Sequence, residues 1–221
     1  MVYMSPRSRP SPTMQTTVAH NSKKTRGELL EAAYEEIWRN GFRAASIDRI
    51  LSHAGVTKGA LYYHFKNKLE LGYAVVDEII REKIEAMWIR PLADTENPLD
   101  TLLEMIVGAP PGWQKAVSSF GCPLNNLAQE MAPIDEGFRT RLDSLFAEWR
   151  RALVDSLRRG QDNGTVRENV DPERVAPFVI AVCEGAIGIA KTAQDQRDLE
   201  PCFEALSHYL EALRPRRSFR T

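Results

Sequence analysis

The chain has 221 residues, 43% of them hydrophobic and 27% charged, which suits one or two globular domains with a real core. Its least polar stretch, 175–183, is shorter than the roughly 20 residues a bilayer span needs, and the first 22 residues lack the apolar run of a signal peptide. The net charge of -1 hides an asymmetry: residues 1–70 carry eleven Lys/Arg against six Asp/Glu, whereas 71–221 carry eighteen against twenty-four, so a basic front precedes an acidic back. Three cysteines without paired or zinc spacing exclude a disulfide framework and a zinc site, and fit reduced thiols in a cytoplasmic protein.

Residues 1–22, rich in Ser, Pro and Thr, read as a disordered tail. From Thr25 to Asn40 the apolar residues Leu29, Leu30, Ala33, Ile37 and Trp38 recur at helical spacing, and Gly41 ends the run. Ser46 is placed to cap a short second helix with Ile47, Ile50, Leu51 and Ala54 inward. Gly55 allows a sharp turn. Thr57 then caps a third helix anchored by Val56, Leu61 and Phe65. Asn67 caps a long fourth helix, predicted to run unbroken through Leu71, Val75, Ile79, Ile84 and Trp88 to Pro91 and to link the two halves mechanically. Beyond it the pattern predicts helices over 98–107, 113–119, 124–131, 136–159, 172–192 and 199–213, with Asp171 and Pro172 forming a helix start. The expected fold is all-α: a tail (1–22), a three-helix front domain (23–70), a larger helical domain (71–214) and a short tail (215–221).

Two short helices joined by a glycine turn behind a supporting helix form a helix-turn-helix, and the third helix is the one that would enter a major groove. Lys58 offers a cation to a base edge or phosphate. Gly59 and Ala60 allow close backbone approach, and Tyr62, Tyr63 and His64 supply polar tips and flat faces. Ser46 and Lys68 stand in first helical turns, where backbone N–H groups also favour phosphate. No nucleophile–base pair, phosphate loop, cofactor motif or metal-spaced cluster accompanies the four histidines, so an enzyme is not expected.

Residues 25–71, "TRGELLEAAYEEIWRNGFRAASIDRILSHAGVTKGALYYHFKNKLEL", resemble the DNA-binding domain of the TetR family of transcriptional regulators. The resemblance implies an all-helical homodimer, binding to a double-stranded DNA operator, and a C-terminal ligand domain. By position, the family's DNA contacts fall on Ser46, Thr57, Lys58, Gly59, Ala60, Tyr62, Tyr63, His64 and Lys68. Leu51 stands where the family has a small residue, which predicts a wider angle between the two short helices.

The family pairs through its last two long helices. On these, Ala181, Gly185, Ala186 and Gly188 are small, and Leu206, Tyr209 and Leu210 are large, so these residues are the expected dimer interface. Between the front and this interface, Trp88, Trp113, Phe120, Leu127, Met131, Phe146 and Trp149 are candidates to line an effector pocket, whose composition suggests an apolar or electrophilic small molecule. In "SFGCPLNNLAQEM", 119–131, Pro123 fits a first helical position and makes Cys122 the N-cap, where the helix dipole favours thiolate. That segment also resembles its counterpart in a TetR subgroup that includes regulators of reactive-electrophile detoxification. The sequence therefore predicts a ligand- or redox-responsive DNA-binding regulator, a repressor released by an effector or by modification of Cys122. The alternative is a helical scaffold that has lost DNA binding.

Overall fold

The computed structural model describes residues 12–108 and 111–215, with side chains from residue 22, and the described residues are helical with no strand. Helix α1 spans Pro12–Asn40, α2 Ile47–Ala54 and α3 Lys58–His64. Helix α4 runs over 68–93. Then follow α5 (Pro98–Val107), α6 (Pro111–Phe120), α7 (Pro123–Met131), α8 (Glu136–Asp162), α9 (Pro172–Ala193) and α10 (Leu199–Glu211). The tail expected over 1–22 lies outside the described residues as far as residue 11. From Pro12 the chain already belongs to α1, since no proline or glycine interrupts 13–22. Of the tail expected over 215–221, residues 216–221 lie outside as well.

The front domain is built as its caps dictate. The Ser46 hydroxyl accepts from the Arg49 N–H at 3.4 Å and the Thr57 hydroxyl from the Ala60 N–H at 3.2 Å, each satisfying an amide that the first helical turn leaves free. Gly55 adopts a left-handed φ of 65°, which ends α2 and swings the chain into α3. One Glu36 carboxylate oxygen on α1 accepts from the Ser46 N–H (3.0 Å) and from Arg49 Nε (2.7 Å), fixing α2 against α1. Leu29, Leu30, Ala33, Ile37, Ile50, Leu61 and Phe65 fill the space between the three helices. Leu51 is half-buried against this core.

Helix α4 is continuous across the domain junction, as predicted, but Val75–Ile80 and Glu85–Ile89 are π-helical. Its buried residues are Leu71, Gly72, Val75, Val76, Ile80, Ile84, Trp88 and Leu92, with a four-residue spacing from Val76 to Leu92. Ile80 is fully buried there, and the expected Ile79 is half-buried against the same core. Pro91 does not end the helix, which runs two residues further, to Ala93.

The junction is tight. A Cβ on Gly72 would come within 2.5 Å of the Phe42 ring and 2.8 Å of the Phe138 ring, so only glycine lets these two rings meet edge-on at 4.7 Å. The Tyr73 hydroxyl donates to Asp135 Oδ1 at 2.8 Å, and that oxygen also caps α8 by accepting from the Phe138 N–H. Arg141 pairs with Asp77 at 2.8 Å and Arg81 with Glu148. In the larger domain α8 is the central post. Phe138, Leu142, Leu145, Trp149, Leu153 and Leu157 are buried along one side, each contributing about 1.5–3 kcal/mol of hydrophobic burial. Helix α9 packs against α6, α8 and α10. With 22 residues it is long and apolar enough to cross a membrane, contrary to the shorter run read from sequence, yet half of its apolar window is buried within this chain.

Candidate nucleic-acid interface and inter-helix cavity

Leu61 and Phe65 anchor α3, and the opposite side faces solvent. Lys58 and Gly59 are exposed, Tyr62 is 49% and Tyr63 78% exposed, and Ala60 and His64 are half-buried. The His64 ring meets Tyr63 edge-on at 5.0 Å, which fixes both on one side of the helix. Two large phenol rings thus stand in water on one seven-residue helix. The hydroxyls of Ser46 and Thr57 accept as caps, so each keeps its O–H to donate outward. Lys68 is half-buried and already makes contacts within the chain. Its Nζ donates to the Arg43 carbonyl at 3.1 Å and lies 4.9 Å from the Phe42 ring centre, and the burial lowers its pKa. It secures the turn between α1 and α2, because that pocket offers its ammonium a carbonyl and an aromatic face.

Where the front domain meets the larger one, a cavity of about 460 Å³ lies between α1, α4, α6, α7, α8 and α9. Its walls bring together Cys122, Trp88, Trp113 and Trp149 from the predicted set. Trp88 and Trp149 lie 4.9 Å apart, and Trp88 and Met87 both sit in the second π-helical stretch. Phe120 and Leu127 instead face a neighbouring cavity of about 310 Å³ lined also by Asn126, Glu130 and Lys191. Met131 and Phe146 line neither. Met131, at the far end of α7, is buried core, and Phe146 is half-buried beside Trp149 at 6.4 Å.

Sequence reasoning missed Tyr34 and Trp38, which α1 contributes to the larger cavity, and Glu184 on α9. Glu184 is 8% exposed, and its Oε2 is buried without a hydrogen-bond partner. Burial raises its pKa to about 7, partly offset by hydrogen bonding to Cys122 and Asn125. The signal was present as one acidic residue inside the apolar run "VAPFVIAVCEGAIGIA".

Cys122 does occupy the N-cap position of α7, with Pro123 at the first helical position. The thiolate expected there does not follow. The side chain is buried, and desolvation, reinforced by the Glu184 carboxyl, pushes the thiol well above its usual range, outweighing the helix N–H groups of Asn125 and Leu124. Burial likewise pushes Cys183 up to about 12.

The segment from Gly121 through α7 is bonded to the front domain at both ends. Trp38 Nε1 donates to the Gly121 carbonyl at 2.8 Å. The Glu130 carboxylate accepts from the Phe42 and Arg43 N–H groups, each at 2.8 Å. A wall of the cavity thus holds the turn that precedes α2.

On α9, Ala181, Gly185 and Gly188 are exposed and share a face with Phe178 and Ile189, which are 43% and 56% exposed. Tyr209 is half-buried, its ring 4.7 Å from Phe178. Ala186, Leu206 and Leu210, expected at the interface, are buried within the chain itself, since the helical period turns them inward with Cys183, Ala190 and Phe203.

Comparison with known proteins agrees with this geometry. A family model described as "Bacterial regulatory proteins, tetR family" matches residues 29–75, and one described as "Tetracyclin repressor-like, C-terminal domain" matches 98–206. The HTH-type transcriptional repressor KstR2 of Mycobacterium tuberculosis is 30% identical over 172 residues, covering 73% of this chain and 79% of the relative. The HTH-type transcriptional repressor DhaR of Mycobacterium sp. (strain GP1) is 27% identical over 197 residues, covering 86% and 92%. Among solved structures, a TetR transcriptional regulator from Chloroflexus aurantiacus superposes with a TM-score of 0.76 at 25% identity, covering 87% of this chain and 96% of that one.

Proposed function

The chain belongs to the TetR family of bacterial transcriptional regulators, and on that premise we propose that it is a cytoplasmic homodimeric repressor released from its operator by a small molecule in the cavity of about 460 Å³. The observation that carries this reading is that α1, the scaffold of the helix-turn-helix, supplies Tyr34 and Trp38 to the cavity wall.

Helix α3 lies in the major groove, with Lys58, Tyr62 and Tyr63 toward bases and phosphates and Gly59 allowing close approach. His64 and Ala60 border this contact, and the Ser46 and Thr57 hydroxyls donate to phosphates flanking it. The acidic larger domain is repelled by phosphate, which confines contact to the front. A second copy, paired through the exposed face of Phe178, Ala181, Gly185, Gly188 and Ile189, presents its own α3 about 34 Å away, one turn of DNA. An occupant of the cavity displaces the Gly121–Pro123 wall and α4, and Glu130 passes the shift to Phe42 and Arg43. The two α3 helices then no longer fit successive grooves. The effector acts by binding the released state more tightly than the DNA-bound state. Because the Cys122 thiol is held protonated, the proposal rests on reversible binding rather than on thiol modification.

The test is a salt series on affinity for a fragment selected from genomic DNA. Log affinity should fall steeply and linearly with log salt, with a slope set by the phosphates neutralised. A flat dependence would favour the scaffold alternative.

A further inference from the structure

We infer, taking the cavity to be the effector site as proposed above, that its ligand is a hydrophobic organic cation, a quaternary ammonium or a protonated lipophilic amine, held between tryptophan faces against Glu184. Two independent observations converge. The first is the carboxyl itself. Glu184 is the only Asp, Glu, Lys, Arg or His classed as buried among the described residues, and no lysine, arginine or histidine among them pairs with it. Two other charged side chains share its cavity without pairing with it: Lys83, a cation of the same wall, lies over the Tyr34 ring at 4.7 Å, and Glu35 pairs with Arg39 at 3.3 Å. A buried acid with an unpartnered oxygen costs stability unless something satisfies it. A neutral hydrocarbon entering the cavity would leave that oxygen dry, and an anion would be repelled. A cation supplies the missing partner and holds the carboxyl ionised.

The second observation is the aromatic lining. The chain has four tryptophans, and all four, Trp38, Trp88, Trp113 and Trp149, line this one cavity. Tryptophan has the strongest cation-attracting face of the aromatic side chains, and desolvation strengthens that attraction. Aliphatic residues would have served a purely apolar ligand equally well. Trp149 Nε1, on another lining residue, is also buried without an acceptor.

The test uses the full chain and three probes: benzyldimethylhexylammonium, its uncharged carbon isostere, and 4-hexylbenzenesulfonate. Binding is followed by calorimetry and by tryptophan fluorescence. The wild type should prefer the ammonium to the isostere by roughly 10- to 100-fold and reject the sulfonate. Glu184→Gln should reduce that preference to within a few-fold of unity while keeping the affinity for the isostere. Trp88→Leu, which keeps an apolar side chain but removes the aromatic face and leaves the carboxyl untouched, should lower ammonium affinity several-fold more than isostere affinity. This second variant decides the matter if Glu184→Gln does not fold. Equal or weaker binding of the ammonium by the wild type, or an undiminished preference in both variants, would overturn the inference. Operator release is measured separately. Glu184-dependent ammonium binding without release would leave the cation site standing and remove the effector reading. Release by the isostere or the sulfonate alone would do the reverse.

Discussion

Replacing Glu184 by glutamine gives a sharp prediction about stability. Burial raises the carboxyl from an ordinary 4.5 to about 7 in the folded chain. A native pKa above the unfolded one means that the folded state binds the proton more tightly. The stabilisation is therefore complete below about pH 4.5 and is lost as pH rises through about 7. At about 1.4 kcal/mol for each tenfold change in proton affinity, the gap amounts to about 3 kcal/mol. Only 8% of Glu184 is exposed, so solvent screening takes little from this figure. Glutamine mimics the protonated form. The variant and the wild type should unfold with similar free energies near pH 5, and the variant should be more stable by up to about 3 kcal/mol at pH 8. Cys122 and Cys183 do not confuse the profile, because both thiols stay neutral over this range. The assay is urea unfolding of both proteins at pH 5, 6, 7 and 8 and at one protein concentration, taking the difference at each pH so that other titrating groups cancel. A difference that stays flat from pH 5 to pH 8 would refute the reasoning.

Gly72→Ala should destabilise the chain by roughly 1–3 kcal/mol, because the added methyl overlaps the Phe42 and Phe138 rings; the urea midpoint checks this. In the native protein at pH 8, iodoacetamide should label half-exposed Cys202 well before Cys122 and Cys183, as followed by mass spectrometry; rapid labelling of Cys122 would restore the thiolate reading. Phe178→Glu places a charge on the exposed face of α9, and sedimentation should show the dimer shifted toward monomer with helical content unchanged.

The front domain was legible because its information is local. Ser46, Thr57 and Asn67 cap the helices that follow them, and Gly55 takes the left-handed turn expected of it. Contacts between distant segments were not legible. Nothing near Glu130 announces that it will accept from amides 87 and 88 residues away. Nor does anything near Lys68 announce its bond to the Arg43 carbonyl 25 residues away. Cys122 shows competition between scales: its helix-cap position was correct, but tertiary burial reversed the protonation state that the cap alone favours. Small residues on α9 marked both the buried and the exposed side, and only the phase of the folded helix separates Ala186 from Gly185 and Gly188.

The central claim is that the solvent-facing side of α3 reads duplex DNA. The most direct measurement is the affinity of wild type, Lys58→Ala and Tyr63→Ala for one genomically selected operator fragment, by fluorescence anisotropy at fixed salt, with each dimer verified by sedimentation. Each substitution should weaken binding by about 10-fold or more while leaving the dimer intact, since every dimer loses the contact twice. Wild-type affinity in both variants would contradict the account.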